Sequence, residues 1–304
     1  MIKYKRIIEE NTEGNQTVIG LIKQGEIVKV IKDLTPEQIA IINQQDELKT
    51  HCKNLGGFVH VCYVKNELLF NKFNLRLPTI TRLIYLATYI DYNNREENVL
   101  VKYGQHQKVE YLTRKDLKEL LGLSEDVLRT FLKEAKEKDI LFKVGRKYYL
   151  SNKVFSKGKA SFDKGKYTRI FIDTTRFLYQ NCHISQHKQL AYVFQLIPYL
   201  NYESNTICKN PEERDKRLLK RFSLKEICEL LNIGTSKSAI YKFEHNLLSF
   251  YVEINEVKYY LFKRIIIKGV SGRNDFFAAN PNVIWKGSDL NASKETLESL
   301  VFND

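Results

Sequence analysis

The chain repeats part of its own sequence at a separation of 110 residues. The segment Leu86–Tyr92 (LATYIDY) matches Leu196–Tyr202 (LIPYLNY) at the leucine and at both tyrosines. Three further pairs of segments match at this separation or within two residues of it: Thr113–Leu123 with Ser223–Ile233, Val127–Phe131 with Ala239–Phe243, and Tyr148–Tyr149 with Tyr259–Tyr260. A separation that stays nearly constant along the chain, although the residues between the matching segments differ, predicts two copies of one structural module.

Each copy contains the start of a short amphipathic helix. Thr113 with Asp116, and Ser223 with Glu226, have the spacing of a capping box, which predicts that a helix begins at each position. Apolar residues then recur at helical spacing, namely Leu117, Leu120 and Leu121 in the first copy and Ile227, Leu230 and Leu231 in the second. These residues are expected to face the core.

A tight turn and a second amphipathic helix follow in each copy. Gly122 and Asn232 are residue types that tolerate a positive φ at the C-terminus of a helix. The residues expected on the buried face of the next helix are Val127, Leu128, Phe131, Leu132 and Ala135, and then Ala239, Ile240, Phe243 and Leu247. The residues expected to face outward are Arg129, Thr130 and Lys133 in the first copy and Lys237, Ser238, Tyr241 and Lys242 in the second. Packing of Tyr241 beneath the adjoining hairpin is the alternative.

Each copy then continues into a predicted β-hairpin. Leu141–Leu150 has two β-rich arms around Gly145 and Arg146, and Tyr251–Leu261 has the same arrangement. A helix, a helix-turn-helix and a β-hairpin in this order form a winged helix, whose third helix usually enters the major groove of DNA. An ordinary helical hairpin is the alternative, and the occurrence of the pattern in two copies favours DNA reading.

We therefore predict an α+β, mainly helical fold with tandem winged helix-turn-helix modules and a small N-terminal α/β extension. The predicted divisions are 1–70 for the extension, 71–160 and 161–290 for the two modules, and 291–304 for a short tail helix. The elements expected in the extension are strands at Thr17–Ile22, Glu26–Ile31 and Phe58–Val64 and a helix from Thr35 to about Lys53. Ser156–Lys166 is expected to join the modules. Lys209–Arg221 is expected to be an exposed loop that is either merely solvated or in contact with phosphate.

The charge balance bears on the class of partner. The chain has 49 Lys and Arg residues against 36 Asp and Glu residues, a net charge of +13. Such an excess favours a polyanionic partner, because cations that neutralise phosphates release condensed counterions. No apolar run is long enough to span a membrane and no signal segment follows Met1, so we expect a cytoplasmic protein that does not bind membranes. The five scattered cysteines lack metal-ligand spacing and are interpreted as reduced structural thiols.

The end of the first hairpin resembles a known family. Tyr149–Gly158 (YLSNKVFSKG) is similar to the end of the winged helix in RepL-type replication proteins from plasmids and phages of Gram-positive bacteria, and similar residues recur at Asn280–Gly287 (NPNVIWKG). The tandem arrangement also resembles the two-winged-helix initiators of iteron plasmids. The resemblance implies an initiator that binds repeated origin sites and host replication proteins. RepL-type proteins generally carry one such module, whereas this chain has two copies.

The sequence lacks recognisable motifs of two classes of enzyme that act on nucleic acids, although carboxylates from distant positions could still converge in the fold. His60-Val61-Cys62 is the nearest match to the His-hydrophobic-His metal site of a nicking enzyme, but its third residue is wrong. There is no Gly-x-x-x-x-Gly-Lys-Ser/Thr loop for ATP hydrolysis. We expect no catalytic residue, no metal and no cofactor. Three interpretations remain, namely a replication initiator, a prophage transcriptional regulator, and an interaction protein whose modules bind mainly proteins.

The residues predicted to contact double-stranded DNA lie on the second helix of each pair, at its start, and on the hairpins. They are Arg129, Thr130, Lys133, Arg146, Lys147, Thr235, Ser236, Lys237, Ser238, Tyr241, Lys242 and Lys258. Glu125 and Asp126 begin the helix of the first copy and repel phosphates. We therefore expect the second copy to dominate base reading, and the first to serve dimerisation or weaker DNA contact. Pairing of two protomers is expected, although the sequence shows no coiled-coil seam.

Overall fold

The computed structural model describes residues 4–10, 16–23, 56–64, 67–68, 72–92, 96–104, 108–157, 166–254, 256–269, 272–281 and 284, with isolated positions between 35 and 53. The chain forms two compact units, Met1–His51 and Cys52–Asp304. The described part combines helices with small antiparallel sheets. The predicted tail helix at 291–304 lies outside the described residues.

The first unit contains an antiparallel pair of strands. Strand β1 (Tyr4–Glu10) pairs with β2 (Gln16–Lys23), with a register shift between Ile7 and Ile8. The predicted strand at Thr17–Ile22 is confirmed as the middle of β2, whereas the one at Glu26–Ile31 lies outside the described residues. Pro36 is helical, as are a few described positions after it, where the sequence predicts a helix.

The second unit holds the remaining described elements. Its helices are α1 (Leu77–Ala87), α2 (Arg114–Leu121), α3 (Glu125–Glu137), α4 (Ile172–Gln180), α5 (His187–Leu196), α6 (Leu224–Leu230) and α7 (Lys237–Ser249). Its strands are β3 (Phe58–Val64), β4 (Glu67–Leu68), β5 (Val101–Tyr103), β6 (Val109–Tyr111), β7 (Leu141–Val144), β8 (Lys147–Leu150), β9 (Phe155–Ser156), β10 (Lys166–Phe171), β11 (Tyr251–Ile254), β12 (Val257–Tyr260), β13 (Phe262–Gly269) and β14 (Gly272–Ala279). Residues 77–157 are called the first copy and residues 187–284 the second copy.

Helices α2 and α3 of the first copy begin and meet as the sequence predicts. The Thr113 hydroxyl accepts from the Asp116 backbone N–H, and the Asp116 carboxylate accepts from the Thr113 N–H, so the capping box is confirmed. Gly122 has a φ of 61° and ends α2. The N–H of Leu123 then donates to the carbonyl of Lys118 at 3.2 Å, which closes the helix with a left-handed cap.

Helices α6 and α7 of the second copy are joined in the same way. The Ser223 and Glu226 capping box is present. Asn232 has a φ of 53°, and the N–H of Ile233 donates to the carbonyl of Cys228 at 2.7 Å. Asparagine tolerates this conformation better than other residues with a Cβ. The predicted positive φ at both turns is therefore confirmed.

The buried faces of α3 and α7 agree with the predicted pattern at most positions. Phe131 and Phe243 are buried at equivalent positions, and Leu128, Ala135 and Leu247 are buried as well. The prediction that Val127 is buried is wrong, because 40% of the residue is exposed at the start of α3. On α3 and α7, the predicted core residues that are only partly buried are Leu132, Ala239 and Ile240.

The hairpin of the first copy pairs with the chain between α1 and α2. Strands β7 and β8 are in register from Leu141 opposite Leu150, which confirms the hairpin predicted there. The N–H of Leu100 donates to the carbonyl of Tyr148 at 2.9 Å, and the N–H of Leu150 donates to the carbonyl of Asn98 at 3.1 Å. Strand β8 is thereby fixed against the segment that follows α1.

In the second copy, the segment that follows α5 pairs with a hairpin that the sequence did not predict. The N–H of Ile207 donates to the carbonyl of Phe277 at 2.9 Å, and the N–H of Ala279 donates to the carbonyl of Asn205 at 3.0 Å. Both acceptor and donor on the hairpin side belong to β14, so β13–β14 is the structural counterpart of β7–β8. The hairpin predicted at Tyr251–Leu261 does form, as β11–β12, but it is an additional one.

The first residues after β8 and β14 also indicate that hairpin β13–β14 corresponds to hairpin β7–β8. The N–H of Ser151 donates to the carbonyl of Ile140 at 2.9 Å, and the N–H of Asn280 donates to the carbonyl of Leu261 at 2.8 Å. The equivalence of Tyr148–Tyr149 with Tyr259–Tyr260 is therefore wrong. The separation between equivalent residues here is 129, which is the separation at which Ser151–Gly158 resembles Asn280–Gly287.

The two copies share one hydrophobic core. Helices α1 and α5 pack together, and the Thr81 hydroxyl of α1 donates to the carbonyl of His187 at 2.8 Å. The rings of Tyr85 and Tyr179 stack at a centroid distance of 3.9 Å with an interplanar angle of 7°. These contacts join α1 to the start of α5 and to α4, the helix that leads into the second copy, and α1 is buried from Thr79 to Ala87.

A small sheet also joins the copies. Strand β3 pairs antiparallel with β10, with β4 and with β9. Strand β9 ends the first copy, and β10 leads through α4 to the second. The strand predicted at Phe58–Val64 is confirmed as β3, but it lies in the same compact unit as both copies rather than with Met1–His51. The segment Ser156–Lys166 begins and ends in strands of this sheet.

Candidate nucleic-acid interface

Helix α7 begins at an exposed corner of the second copy. The Ser236 hydroxyl accepts from the N–H of Ala239 at 3.3 Å and thereby caps the helix. Thr235, Ser236, Lys237 and Ser238 are all exposed. The first turn of α7 therefore presents backbone N–H groups and small polar side chains to solvent, with no carboxylate among them.

The outward face of α7 carries the residues that helical periodicity places there. Lys237, Ser238, Tyr241 and Lys242 are exposed, while Phe243 of the same helix is buried. Tyr241 is 69% exposed, so the alternative in which its ring packs beneath a hairpin is wrong. The four side chains form a stripe over the first two turns, with two cations, a hydroxyl and an aromatic ring.

The cations of this stripe have no neutralising partner in the described part of the chain. The acidic residue of α7 is Glu244, and its carboxylate binds Arg264 of β13. Among the residues that the structure describes, neither Lys237 nor Lys242 lies within ion-pair distance of a carboxylate. Both ammonium groups are thus available to a polyanion.

Helix α3, the equivalent helix of the first copy, has a charge-balanced outward face. Arg129 pairs with Asp126 at 2.8 Å, and Lys133 lies 3.9 Å from Glu137. The Thr130 hydroxyl donates to the backbone carbonyl of Asp126 at 2.8 Å. The predicted contact residues Arg129, Thr130 and Lys133 are exposed, but each has a partner on its own helix.

The start of α3 is held by cations of α2. Arg114 binds Glu125, and Lys118 lies 3.6 Å from the same carboxylate. The hydrogen bond from Arg114 lowers the pKa of Glu125, so this carboxylate stays charged. A negative group at a helix N-terminus suits the helix dipole but opposes an approaching phosphate. The start of α3 is therefore charge-compensated, whereas the equivalent turn of α7 carries Lys237, which has no carboxylate partner among the described residues.

The basic residues of the two predicted hairpins differ in their availability. Arg146 is exposed at the β7–β8 turn. Lys147 binds the carboxylate of Glu96 and lies 4.1 Å from the centre of the Tyr111 ring, and the hydrogen bond to Glu96 raises its pKa. Lys258 of β12 is exposed and lies 4.8 Å from the centre of the Tyr251 ring.

The loop at 209–221 is partly tied down. Lys209 binds Glu226, and this hydrogen bond is the largest cause of a Glu226 pKa of about 2. Arg217 pairs with Asp215 at 2.7 Å, and the Arg221 guanidinium lies 4.4 Å from the centre of the Phe276 ring. The remaining basic residues of the loop, Arg214, Lys216 and Lys220, are exposed.

Sites of other kinds are not evident in the described ranges. Within them, no group of three or more His, Cys, Asp or Glu side chains is placed to hold a metal ion. The cysteines described there, Cys62, Cys182, Cys208 and Cys228, are free. None of the helices in these ranges has the length and apolarity to cross a membrane.

Comparisons with known proteins return no relative. The chain matches no family model, no curated protein and no solved structure.

Proposed function

We propose that this chain binds double-stranded DNA sequence-specifically through two winged helix-turn-helix copies, with α7 as the helix that reads bases. The observation that carries the proposal is the exposed stripe on α7, where Lys237 and Lys242 lack neutralising carboxylates in the described part of the chain. Lysine can donate to guanine acceptors in the major groove, and serine can donate or accept there. An exposed tyrosine ring can contact a thymine methyl group.

The order of elements supports this proposal. Each copy has a first helix, a chain segment that pairs with a later hairpin, two helices joined by a tight turn, and that hairpin, which in the second copy follows the additional hairpin β11–β12. In a winged helix the last helix before the hairpin enters the major groove, and the hairpin more often touches phosphate. The net charge of +13 supports a polyanionic partner.

Within this class we propose a plasmid or phage replication initiator that binds repeated origin sites and recruits host replication proteins. The support is the resemblance of Tyr149–Gly158 to RepL-type proteins. The hydrogen bonds of Ser151 and Asn280 add that Ser151–Gly158 and Asn280–Gly287 begin at equivalent positions after β8 and β14. Direct repeats in the selected DNA site support an initiator. A single inverted repeat over a promoter supports a transcriptional regulator instead.

The test uses purified full-length protein and a duplex selected from random sequence. Lys237→Ala and Lys242→Ala are each expected to weaken binding to the selected duplex by about 1–3 kcal/mol if the lysine makes a good base contact. Binding to random DNA should weaken less, because the lost interaction includes base recognition. The quantity to compare is the ratio of specific to non-specific affinity, measured by fluorescence anisotropy.

Matched substitutions on α3 provide the control. Arg129→Ala and Lys133→Ala remove the same charges from the equivalent helix, where each cation already has a carboxylate partner. They are expected to change the ratio by less than the α7 substitutions. If the α7 variants keep the wild-type ratio while binding persists, α7 is not the reading helix. Absence of duplex binding at low salt would refute DNA binding itself and favour a protein partner.

A further inference from the structure

The 209–221 loop of the second copy presents an apolar side chain to solvent. Leu218 is 60% exposed, more than any other leucine that the structure describes. It belongs to a 3-10 helix, Lys216–Leu218, which Asp215 caps by accepting from the N–H of Arg217. Single exposed apolar residues are common on protein surfaces and imply nothing by themselves. The exposure of Leu218 therefore has to be interpreted together with the loop that carries it.

The backbone around Leu218 is held by the opposite side of the loop. The side-chain amide of Asn210 donates to the carbonyl of Leu218 at 3.0 Å, and its oxygen accepts from the N–H of Lys220 at 2.8 Å. The N–H of Lys209 donates to the carbonyl of Lys220 at 2.8 Å. These three hydrogen bonds close the loop and fix the position of Leu218.

A buried side chain fastens the first half of the loop to the core. Asn201 is 1% exposed, and its amide donates to the carbonyl of Pro211 at 3.0 Å and to that of Glu213 at 2.8 Å. A loop that is ordered before it binds loses less conformational entropy on binding than a flexible one. The 209–221 loop is therefore built to hold an exposed leucine in a defined place.

The residues beside Leu218 carry positive charge. Residues 214–221 include five basic residues and one acidic residue. The acidic one, Asp215, pairs with Arg217 at 2.7 Å. The basic residues here that are exposed and have no carboxylate within ion-pair distance in the described part of the chain are Arg214, Lys216 and Lys220. An apolar side chain among unpaired cations suits a polyanion that offers an apolar surface, and the stacked bases of DNA are such a surface.

The loop is attached to the helix that precedes the proposed reading helix. Its first residue, Lys209, binds Glu226 of the α6 capping box. In helix-turn-helix proteins the helix before the reading helix crosses the phosphate backbone. The N-terminus of α6 is the end away from the turn into α7. With α7 in the major groove as proposed, a loop at that end lies across the backbone, beside the adjacent minor groove.

We propose that the 209–221 loop enters the minor groove of duplex DNA and that Leu218 wedges between two base pairs there, with Lys216 and Lys220 on the flanking phosphates. This inference rests on the proposed DNA-binding function. Apolar wedges in the minor groove partly unstack a base step and kink the duplex by about 20–90°. The second copy thus bends the site that it reads. Pyrimidine–purine steps are favoured at the wedge, because they are the most easily kinked.

The experiment measures the bend of the selected duplex at saturating concentrations of full-length protein. Dyes at the two ends of the duplex report the bend by fluorescence energy transfer, and 2-aminopurine at successive positions reports the unstacked step. Leu218→Ala removes the wedge, whereas Leu218→Met keeps a large apolar side chain. Ile184→Ala is the matched control, because Ile184 is 45% exposed in another 3-10 helix, Ile184–Gln186, which contains no basic residue. Circular dichroism checks that each variant is folded.

The wedge predicts a bend of at least about 20° in the wild-type complex. Leu218→Ala should lose most of this bend together with the rise in 2-aminopurine fluorescence, while Leu218→Met and Ile184→Ala should retain both. Lys216→Gln/Lys220→Gln should reduce the log–log salt slope of binding by about 1.8, since two phosphate contacts are lost.

A straight duplex in the wild-type complex, or a bend that Leu218→Ala leaves unchanged, overturns the wedge and favours a protein partner for Leu218. If Lys237→Ala still lowers the ratio of specific to non-specific affinity in that case, the proposed function stands. Equal loss of the bend by Ile184→Ala overturns the assignment to the 209–221 loop. Absence of duplex binding by the wild-type protein overturns both proposals.

Discussion

Asn205 should be among the most sensitive positions in the second copy. It is fully buried with a φ of 52°, and its side-chain amide donates to the carbonyls of Ala279 at 3.0 Å and Ile284 at 2.5 Å. These two carbonyls lie at the end of β14 and just beyond it. One side chain thus fixes both the conformation of its own segment and the base of hairpin β13–β14.

The expected cost of Asn205→Gly comes from the two carbonyls. Each buried acceptor that loses its donor costs about 1–3 kcal/mol, so the free energy of unfolding should fall by about 2–6 kcal/mol. Glycine adopts the positive φ without strain, although its freer unfolded chain adds a fraction of a kcal/mol. Asn205→Ala should cost a further 1 kcal/mol or so, because alanine is strained in the left-handed region.

Asn98 provides an internal comparison for this reasoning. It occupies the equivalent position in the first copy, with a φ of 54°, and its amide donates to one carbonyl, that of Phe155, at 2.8 Å. Asn98→Gly should therefore cost about half as much as Asn205→Gly. The assay is urea unfolding of the three single variants, followed by circular dichroism. If Asn205→Gly is as stable as the wild-type protein, the two hydrogen bonds do not stabilise the fold as argued. If Asn205→Ala is as stable as Asn205→Gly, the positive φ does not strain alanine.

Two further predictions concern the shared core. Burial lowers the pKa of His60 and of His187 to about 4, so between pH 6.5 and pH 4 the unfolded chain binds protons that the folded chain does not. The free energy of unfolding should fall as the pH drops through this window, by about 3 kcal/mol at most for each histidine, and His187→Gln should flatten a plot of stability against pH. Tyr179 stacks on Tyr85 and donates to the carbonyl of Leu121 at 3.0 Å, so Tyr179→Ala should destabilise both copies together by about 3–5 kcal/mol. Separate calorimetric transitions for the two copies, of which Tyr179→Ala lowers only one, would contradict the shared core.

Local features of the fold were predictable where neighbouring residues determine them. The capping boxes at Thr113 and Ser223, and the positive φ at Gly122 and Asn232, depend on interactions within a few residues. The outward face of α7 was predictable for the same reason, because helical spacing relates Lys237, Ser238, Tyr241 and Lys242 to the buried Phe243. The ion pair between Arg129 and Asp126 also depends on local spacing, since residues three apart on a helix are neighbours.

Long-range pairing was not predictable from these patterns. A tyrosine pair at a similar separation favoured Tyr251–Leu261 as the second hairpin of the repeat, but strand pairing depends on which segments meet in the folded core. The signal for the correct alignment was present in the likeness of Ser151–Gly158 to Asn280–Gly287, which lies at a separation of 129. The additional hairpin β11–β12 accounts for part of the difference from 110. The predicted boundary at residue 70 likewise separates β3 from its partners. Strand β3 pairs with β9 and β10, which lie on either side of the segment between the two copies.

If the chain binds duplex DNA as proposed, the packing of α1 against α5 fixes the relative orientation of the two DNA-contacting copies. Two copies on a flexible tether could bind sites at many spacings, whereas two that share a core would contact the duplex at one angle and one distance. Because B-DNA turns once in about 10–10.5 base pairs, an insertion of about five base pairs between two contact sites would move one of them to the opposite face. Under the proposed function, the shared core therefore makes binding depend on the spacing between two DNA sites as well as on their sequence.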